Sequence, residues 1–387
     1  MTEIDCSFIA NFNPLTLTGG SFDGKNVPIT NLYIDTGSNN VNTALFSSTH
    51  NATVKNVYLK NAAIKSKSNN SGFLVGYAYV SVLDNNRVSG TITQSMQTSG
   101  TGGLVGKTLG SRLLNNYVEN ITLSLESFTS SSPTSGVGGL VGVNSSTQLE
   151  NNHVLSGELK NNSTVTLKNV GGLIGLFLSL NQNFDINQSS ANVIFSGNFY
   201  HVGGLVGSAQ PSQGAISINQ SFAMGTINTA GDYAGGLIGY LSSIGSSSIN
   251  NSYSQMEIQA NTFAGGLVGS AHNLTITNSY ATGLVNIKIG NYQGGLVAYA
   301  YGTTVSKSFW DVETTKQTTS AGGGGGVRTQ DLRSQAFLVE HGWDFSTVWR
   351  IFNNNFAQPQ YQAIQINTCQ DLQQITDLTT HYEIGNA

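Results

Sequence analysis

Apolar residues along this chain come in short runs of four to six, broken by Gly, Asn and Ser. The clearest run is Gly72-Phe73-Leu74-Val75-Gly76, followed by copies at Gly102 to Gly106, Gly138 to Gly142 and Gly171 to Gly175. It continues at Gly203 to Gly207, Gly235 to Gly239, Gly265 to Gly269 and Gly294 to Ala298. The first glycines are separated by 30, 36, 33, 32, 32, 30 and 29 residues. A second motif follows each copy, from Asn85-Asn86-Arg87-Val88 and Asn115-Asn116-Tyr117-Val118 to Asn250-Asn251-Ser252-Tyr253 and Thr277-Asn278-Ser279-Tyr280. A third apolar stretch closes each unit, as in Gly283-Leu284-Val285-Asn286-Ile287. Polar and apolar positions alternate in the second and third stretches, and helical periodicity is missing. Three short strands per unit of about thirty residues predict an all-β chain, a parallel β-helix of about nine to ten turns. Right-handed winding is the usual form for turns of this length.

Stacked turns lie roughly 4.8 Å apart, so each motif position becomes a column along the axis. Leu and Val of each copy are expected to point inward, each gaining about 1.5–3 kcal/mol on burial. Asn and Gly are expected at the tight corners, and the glycines flanking each motif are expected to allow positive φ there and close backbone approach. Phe222, Tyr253, Tyr280 and Phe309 read as a stacked aromatic column in the core rather than a sugar-binding stripe. The Asn residues before that column read as an amide ladder.

Composition narrows the classes. Charged residues are only 9% of 387, with 46 Gly against 5 Pro and a net charge of −4. An apolar share of 39% argues against a disordered chain. No basic stripe of a nucleic-acid binder is present, and no run of eighteen apolar residues spans a membrane. The stretch Met1-Thr2-Glu3-Ile4-Asp5-Cys6 does not read as a secretory signal, so export by another route, or excision from a longer protein, is expected.

The unit Gly265-Gly266-Leu267-Val268-Gly269, with Ile276-Thr277-Asn278-Ser279-Tyr280-Ala281-Thr282-Gly283 behind it, resembles the GLUG repeat. That repeat occurs in large bacterial surface proteins, in adhesins of filamentous-haemagglutinin type and in non-catalytic regions of immunoglobulin A peptidases. The resemblance covers nearly the whole chain. It extends to the opening Gly20-Ser21-Phe22-Asp23-Gly24 and to the closing Ser308-Phe309-Trp310-Asp311-Val312-Glu313-Thr314. It implies an extracellular or cell-surface location and a structural or adhesive role.

Three regions follow from this reading. Residues 1–310 form the solenoid. Residues 311–360 form a cap with a helix over 329–340, begun by Thr329, with Leu332, Ala336, Phe337 and Val339 as its apolar side. The cap is expected to cover the open end of the solenoid, packed by Trp343, Phe345 and Trp349, and Gly322 to Gly326 reads as a flexible crossing to it. Residues 361–387 read as the start of a next unit or as a docking segment. The resemblance places Thr368-Cys369-Gln370-Asp371-Leu372-Gln373, then a strand at Tyr382-Glu383-Ile384, just ahead of Ile4-Asp5-Cys6-Ser7. End-to-end docking through Ile4, Asp5, Tyr382 and Ile384 is therefore expected, with Cys6 and Cys369 either paired between units or left as free thiols. The chain itself is thus the expected partner, in a fibre or a tandem array, alongside host or surface glycans and proteins.

Motifs for chemistry are sparse. Gly106-Lys107-Thr108 lacks the glycine that a phosphate loop needs five positions earlier, where Thr101 stands. His50, His153, His201, His272, His341 and His381 are scattered, with no metal-ligand spacing. Asp311 with Glu313 is the densest acidic pair, and it lies at the exit of the array. Thr275, Thr277 and Thr304 do not read as a regular grid of the kind that binds ice. The Ser-rich insertion Phe128 to Gly136, with Pro133, reads as a surface loop. A structural or adhesive surface module without enzyme activity or cofactor is the leading expectation. A glycan-binding β-helix is the alternative, with a polysaccharide-degrading enzyme behind it.

Overall fold

The computed structural model describes residues 2–37, 42–95, 99–126, 132, 134–179, 182–366, 368–373 and 382–384. Phe128 to Ser131 and Pro133, the core of the expected loop, lie outside the described residues, as do Met1 and His381.

The chain is a parallel β-solenoid. One turn shows the plan: a glycine strand (Gly100–Gly102), a motif strand (Val105–Leu109), a short strand (Arg112–Leu114) and a long strand (Tyr117–Leu125). Each pairs in parallel with its counterpart one turn on, for example Val105 with Val141, Leu113 with Leu149 and Val118 with Val154. Among the described residues ten motif-type strands stack, from Leu15–Thr18 to Val297–Tyr301, about nine full turns. The glycine strands form a separate sheet of eight. A turn therefore holds four strands rather than three, because the motif's first glycines end one strand and its Val opens the next.

The core follows the expected columns. Leu74, Leu104, Leu140, Leu173, Leu205, Leu237, Leu267 and Leu296 are fully buried, as are the Val or Ile residues after them. The motif glycines, however, are not positive-φ residues. Their role is close approach. A Cβ added to Gly102 would collide with the Val105 carbonyl, and one on Gly106 would lie 2.5 Å from the Ser71 amide nitrogen. The glycine sheet and the motif strands thus meet backbone to backbone. The left-handed corner before each flank-column residue falls instead on a side-chain-bearing residue. Asn56, Asn85, Asn115, Asn151, Gln188, Gln220, Asn251, Asn278 and Lys307 all have φ between 47° and 54°. Asn dominates because it tolerates this region better than most residues with a Cβ.

The end of the solenoid departs from expectation. Gly323–Val327 is a strand, paired with Thr304–Asp311 through Phe309–Gly325, Trp310–Gly326 and Asp311–Val327. It extends the sheet by one strand, so the glycine run is part of the ladder. Trp310 lies across Gly295, and its indole N–H donates to Gln317 O at 2.9 Å. The Gln317 amide in turn donates to Val285 O at 2.7 Å. This loop, not the helical cap, closes the last turn.

The cap folds back along the flank of the solenoid. Its helix is broken into Thr329–Leu332 and Gln335–Glu340. Thr329 does not serve as the N-cap, since its hydroxyl is committed to Asp311 Oδ2 at 2.7 Å. Ser334 caps the second helix by accepting from the Phe337 amide at 3.3 Å. The break re-phases the apolar side, so Leu332 and Leu338 are buried while Ala336 and Val339 are exposed.

Candidate interaction surfaces

Beside the core runs a buried polar ladder. Asn86 Nδ2 donates to Asn116 Oδ1, and Asn116 Nδ2 to Asn152 Oδ1, both at 2.9 Å. Each Oδ1 also accepts from the backbone amide of the level below, as Asn116 does from Asn86 N at 3.1 Å. After Asn152 the same position is Ser. The Ser189, Ser221, Ser252, Ser279 and Ser308 hydroxyls each accept from the preceding amide at 3.1–3.2 Å. Buried amides must find acceptors, and either side chain supplies one per level.

The next position outward makes a flank column: Tyr58, Arg87, Tyr117, His153, Ser190, Phe222, Tyr253, Tyr280 and Phe309. Its last four members do not join the main core. Phe222, Tyr253 and Tyr280 stack at 4.8 and 5.0 Å with nearly parallel rings, and are buried under the cap. Leu332, Leu338, Trp343, Trp349 and Ala357 pack on them. Tyr280 OH donates to Ala357 O at 2.7 Å, and Trp343 Nε1 to Lys307 O at 2.9 Å. Burial pushes the Tyr280 phenol well above its ordinary pKa, and the neighbouring Tyr253 adds to this. These aromatics are therefore structural, though their cover is the cap rather than the next layer of core.

The acidic pair is structural as well. Asp311 Oδ1 accepts from the amides of Glu313 and Thr314 at 2.8 and 3.2 Å, while Glu313 Oε2 accepts from Thr329 N at 2.9 Å. Both carboxylates tie the closing loop to the cap. Among the described residues no group of three or more His, Cys, Asp or Glu side chains is arranged to hold a metal ion. No helix among them is long and apolar enough to cross a membrane.

The residues singled out at the ends are not brought together within one chain. Ile4 and Asp5 pair with Ile29 and Thr30 on the first turn and are exposed. Tyr382 and Ile384 pair in parallel with Ile364 and Ile366 in a separate two-stranded sheet beyond the cap. Cys6 is buried, its amide bonded to Thr30 O at 2.9 Å, whereas Cys369 is exposed, and both thiols are free. Burial raises the pKa of the Cys6 thiol, with the Asp5 charge as a second cause.

A second aromatic column lies on the glycine strands: His201, Tyr233, Phe263 and Tyr292. Phe263 is sandwiched between Tyr233 and Tyr292 at 4.6 and 4.5 Å. His201 stacks on Tyr240 at 4.6 Å, and its Nδ1 bonds Asn169 Oδ1 at 2.9 Å. Desolvation lowers the His201 pKa to about 4, with Lys168 as a second cause. Sequence reasoning missed this column. Its signal was present, since each member stands two residues before a motif glycine.

The threonines excluded as a grid prove to be in step. Thr275 pairs with Thr304 and Thr277 with Ser306, and the first two hydroxyls lie 3.5 Å apart. Below them stand Ser248 with Asn250 and Ser217 with Asn219. The offset of 29 residues between Thr275 and Thr304 equals the last motif step.

These features define a parallel β-solenoid of repeated Gly-Gly-Leu-Val-Gly turns with a flank-packed cap. Residues 260–288 match the GLUG motif, so the chain carries that motif in its penultimate turns. A stretch of 96 residues is 28% identical to a Gly-rich membrane protein of Evansella cellulosilytica, covering 24% of this chain and 11% of that protein's length. A protein from Bacteroides ovatus, described as an immunoglobulin A1 protease, aligns structurally over 93% of this chain and 84% of its own, with 14% identity and a TM-score of 0.31.

Proposed function

We propose that this chain is a non-catalytic, structural and adhesive module of a bacterial cell-surface protein. The observation that carries this reading is the unbroken ladder, from Ile4–Ile29 on the first turn to Asp311–Val327 beyond the last. About nine turns at roughly 4.8 Å give a stiff rod of about 45 Å. Such a rod spaces another domain from the cell, or it joins its own kind end to end.

The first turn supports the end-to-end version. Phe8 is 91% exposed there, with Ile4, Ile9 and Leu15 between 43% and 45%. Apolar side chains beside open strand edges are a template for further strands. The parallel pair of Ile364–Ile366 and Tyr382–Ile384 has the geometry to supply them, from a preceding unit of a longer chain or from a second copy.

Electron microscopy across a concentration series, with and without reductant, tests this reading. Long unbranched fibres establish self-assembly, and isolated short rods establish a module of a covalent stalk. Compact particles without a rod axis overturn both. On non-reducing gels, a dimer band or ladder lost in Cys6→Ser and in Cys369→Ser supports pairing of these thiols between units. Monomer alone at high concentration overturns that pairing.

A further inference from the structure

The last turns carry one continuous uncharged face, and we propose that it binds a neutral polysaccharide lying along the solenoid axis. In these turns motif and short strands run together, as Ile238–Asn250 and Val268–Thr277. Four outward columns result. Tyr240, Ser270 and Tyr299 form the first, Ser270 buried between the two tyrosines' levels, and Ser242, His272 and Tyr301 the second. The Ser/Thr and Asn/Thr/Ser columns described above are the third and fourth. None of these positions is Asp, Glu, Lys or Arg.

The aromatic margin presents ring faces. Tyr233 and Tyr292 occupy both faces of Phe263, so Phe263 meets Tyr299 edge-on, with an interplanar angle of 86°. Tyr292 meets Tyr299 at 80°. Tyr299 thus lies across the edge of the stack, with His272 beside it at 6.2 Å. It is 39% exposed, and Tyr301 beside it is 65% exposed. An exposed ring face packs against the C–H surface of a sugar, while its hydroxyl reaches a polar partner.

Charge selects the class of ligand. Sulfated or uronic-acid polymers need cations for recognition, and a basic peptide needs carboxylates. This face offers neither. Its hydrogen-bonding groups are hydroxyls and amides, repeated each turn at roughly 4.8 Å. A neutral glycan matches it in charge and in periodic donors and acceptors. The earlier turns lack the match, since their short strands place Lys55, Asp84, Arg112 and Glu150 outward.

The inference gives the adhesive part of the reading above a ligand class, and it rests on that part alone. The test is retention of the whole chain on insoluble neutral glucans and chitin, beside a sulfated polymer as control. Variants are Tyr299→Ala with Tyr301→Ala, Tyr299→Phe with Tyr301→Phe, and Thr275→Lys with Thr304→Lys. Far-UV circular dichroism checks that each variant folds. The expected result is retention on one or more neutral polymers, weakened about tenfold or more by the alanine and lysine pairs and kept by the phenylalanine pair. Absence of retention on every neutral polymer overturns the inference, as does retention unchanged by the alanine pair. So does self-association, without glycan binding, that the alanine pair abolishes, since the face is then a contact between copies. Rods seen by microscopy in the same preparations show that the stalk reading stands whichever result is obtained.

Discussion

The first and last halves of the solenoid share one interior and differ in nearly every outward column. Inside, Leu104 and Leu267 occupy the same fully buried position. On the polar ladder Asn86, Asn116 and Asn152 give way to Ser189 and its successors. On the flank, Arg87 and Tyr117 stand open where Tyr253 and Tyr280 are sealed under the cap. On the glycine strands, Asn70, Gly100 and Gly136 precede the aromatic run from His201 to Tyr292. Inward positions answer to a shape that repeats each turn, and the outward ones are free to diverge. In the last four turns that freedom accommodates the cap, which packs on Phe222, Tyr253, Tyr280 and Phe309.

The sharpest test of the shared interior contrasts two kinds of glycine. A Cβ on Gly235 would collide with the Ile238 carbonyl, part of the backbone-to-backbone contact present in every motif copy. Gly235→Ala is expected to cost about 4 kcal/mol or more, the range reserved for severe steric conflict. Gly110 has φ of 59°, and a Cβ there would meet only Val80 Cγ2 at 3.7 Å. Gly110→Ala is expected to cost about 1–2 kcal/mol, the price of a left-handed residue. Equal losses on urea unfolding would overturn close contact as the reason for the motif glycines.

The sealed flank comes next. Trp349 is fully buried, and Trp349→Ala is expected to cost the cap about 3–5 kcal/mol while leaving the solenoid folded. Hydrogen exchange should show residues 328–361 opening and the strands protected. The Tyr253 and Tyr280 phenols give the cap a pH limit. Burial raises both above the ordinary value of 10.0, and for Tyr253 the hydrogen bond to Gln362 partly opposes the shift. Once the cap opens, these phenols lose their protons near their ordinary value, whereas under the cap they hold them. The stabilisation is thus complete below pH 10 and falls as pH rises above it. Tryptophan fluorescence should report cap release at alkaline pH, and Tyr253→Phe with Tyr280→Phe should flatten that response.

The two ladders should differ in strength. Asn116 accepts from Asn86 and donates to both Leu83 O and Asn152 Oδ1 at 2.9 Å. Ser252 accepts from Ser221 N at 3.1 Å and donates to Asn250 O at 2.7 Å. Asn116→Ala is expected to cost about 2–3 kcal/mol and Ser252→Ala about 1 kcal/mol, since the first leaves more buried partners unpaired. Thermal unfolding of the two variants compares them directly.

Much of this was legible in the chain. Leu and Val at fixed steps define the inward columns, because burial acts on every turn alike. An amide ladder was legible too, but it was expected before Phe222, Tyr253, Tyr280 and Phe309, where Ser holds the place; Asn forms it in the earlier turns, from Asn86 to Asn152. The tight corners were assigned to Asn and Gly together, and Asn does hold many of them; the misreading was of the motif glycines, which serve close contact rather than positive φ. The place of the cap was not legible. Its contacts join residues far apart in sequence, as Tyr253 to Gln362 and Tyr280 to Ala357 show. A local pattern shows that a column exists without showing what covers it. The Thr275–Thr304 register was readable once threonines are counted from the motif glycines; it is a single Thr pair above Ser248 and Ser217, not a Thr grid.

The smallest expected effect belongs to the open flank. Arg87 occupies the column position that Tyr253 fills five turns on. It makes a two-pronged ion pair with Glu119, Nε to Oε1 at 2.7 Å and Nη2 to Oε2 at 2.6 Å, and lies 5.3 Å from the Tyr58 ring centroid. The geometry is good, yet the Arg87 side chain is half exposed, so water competes for the guanidinium. Arg87→Ala is expected to cost no more than about 1 kcal/mol, with most of that loss disappearing in high salt. A salt-insensitive loss of the size expected for Trp349→Ala would mean that the first half also carries a cover on its flank, supplied by chain or partner outside this structure. The contrast between an open and a sealed half would then reduce to which segment does the covering.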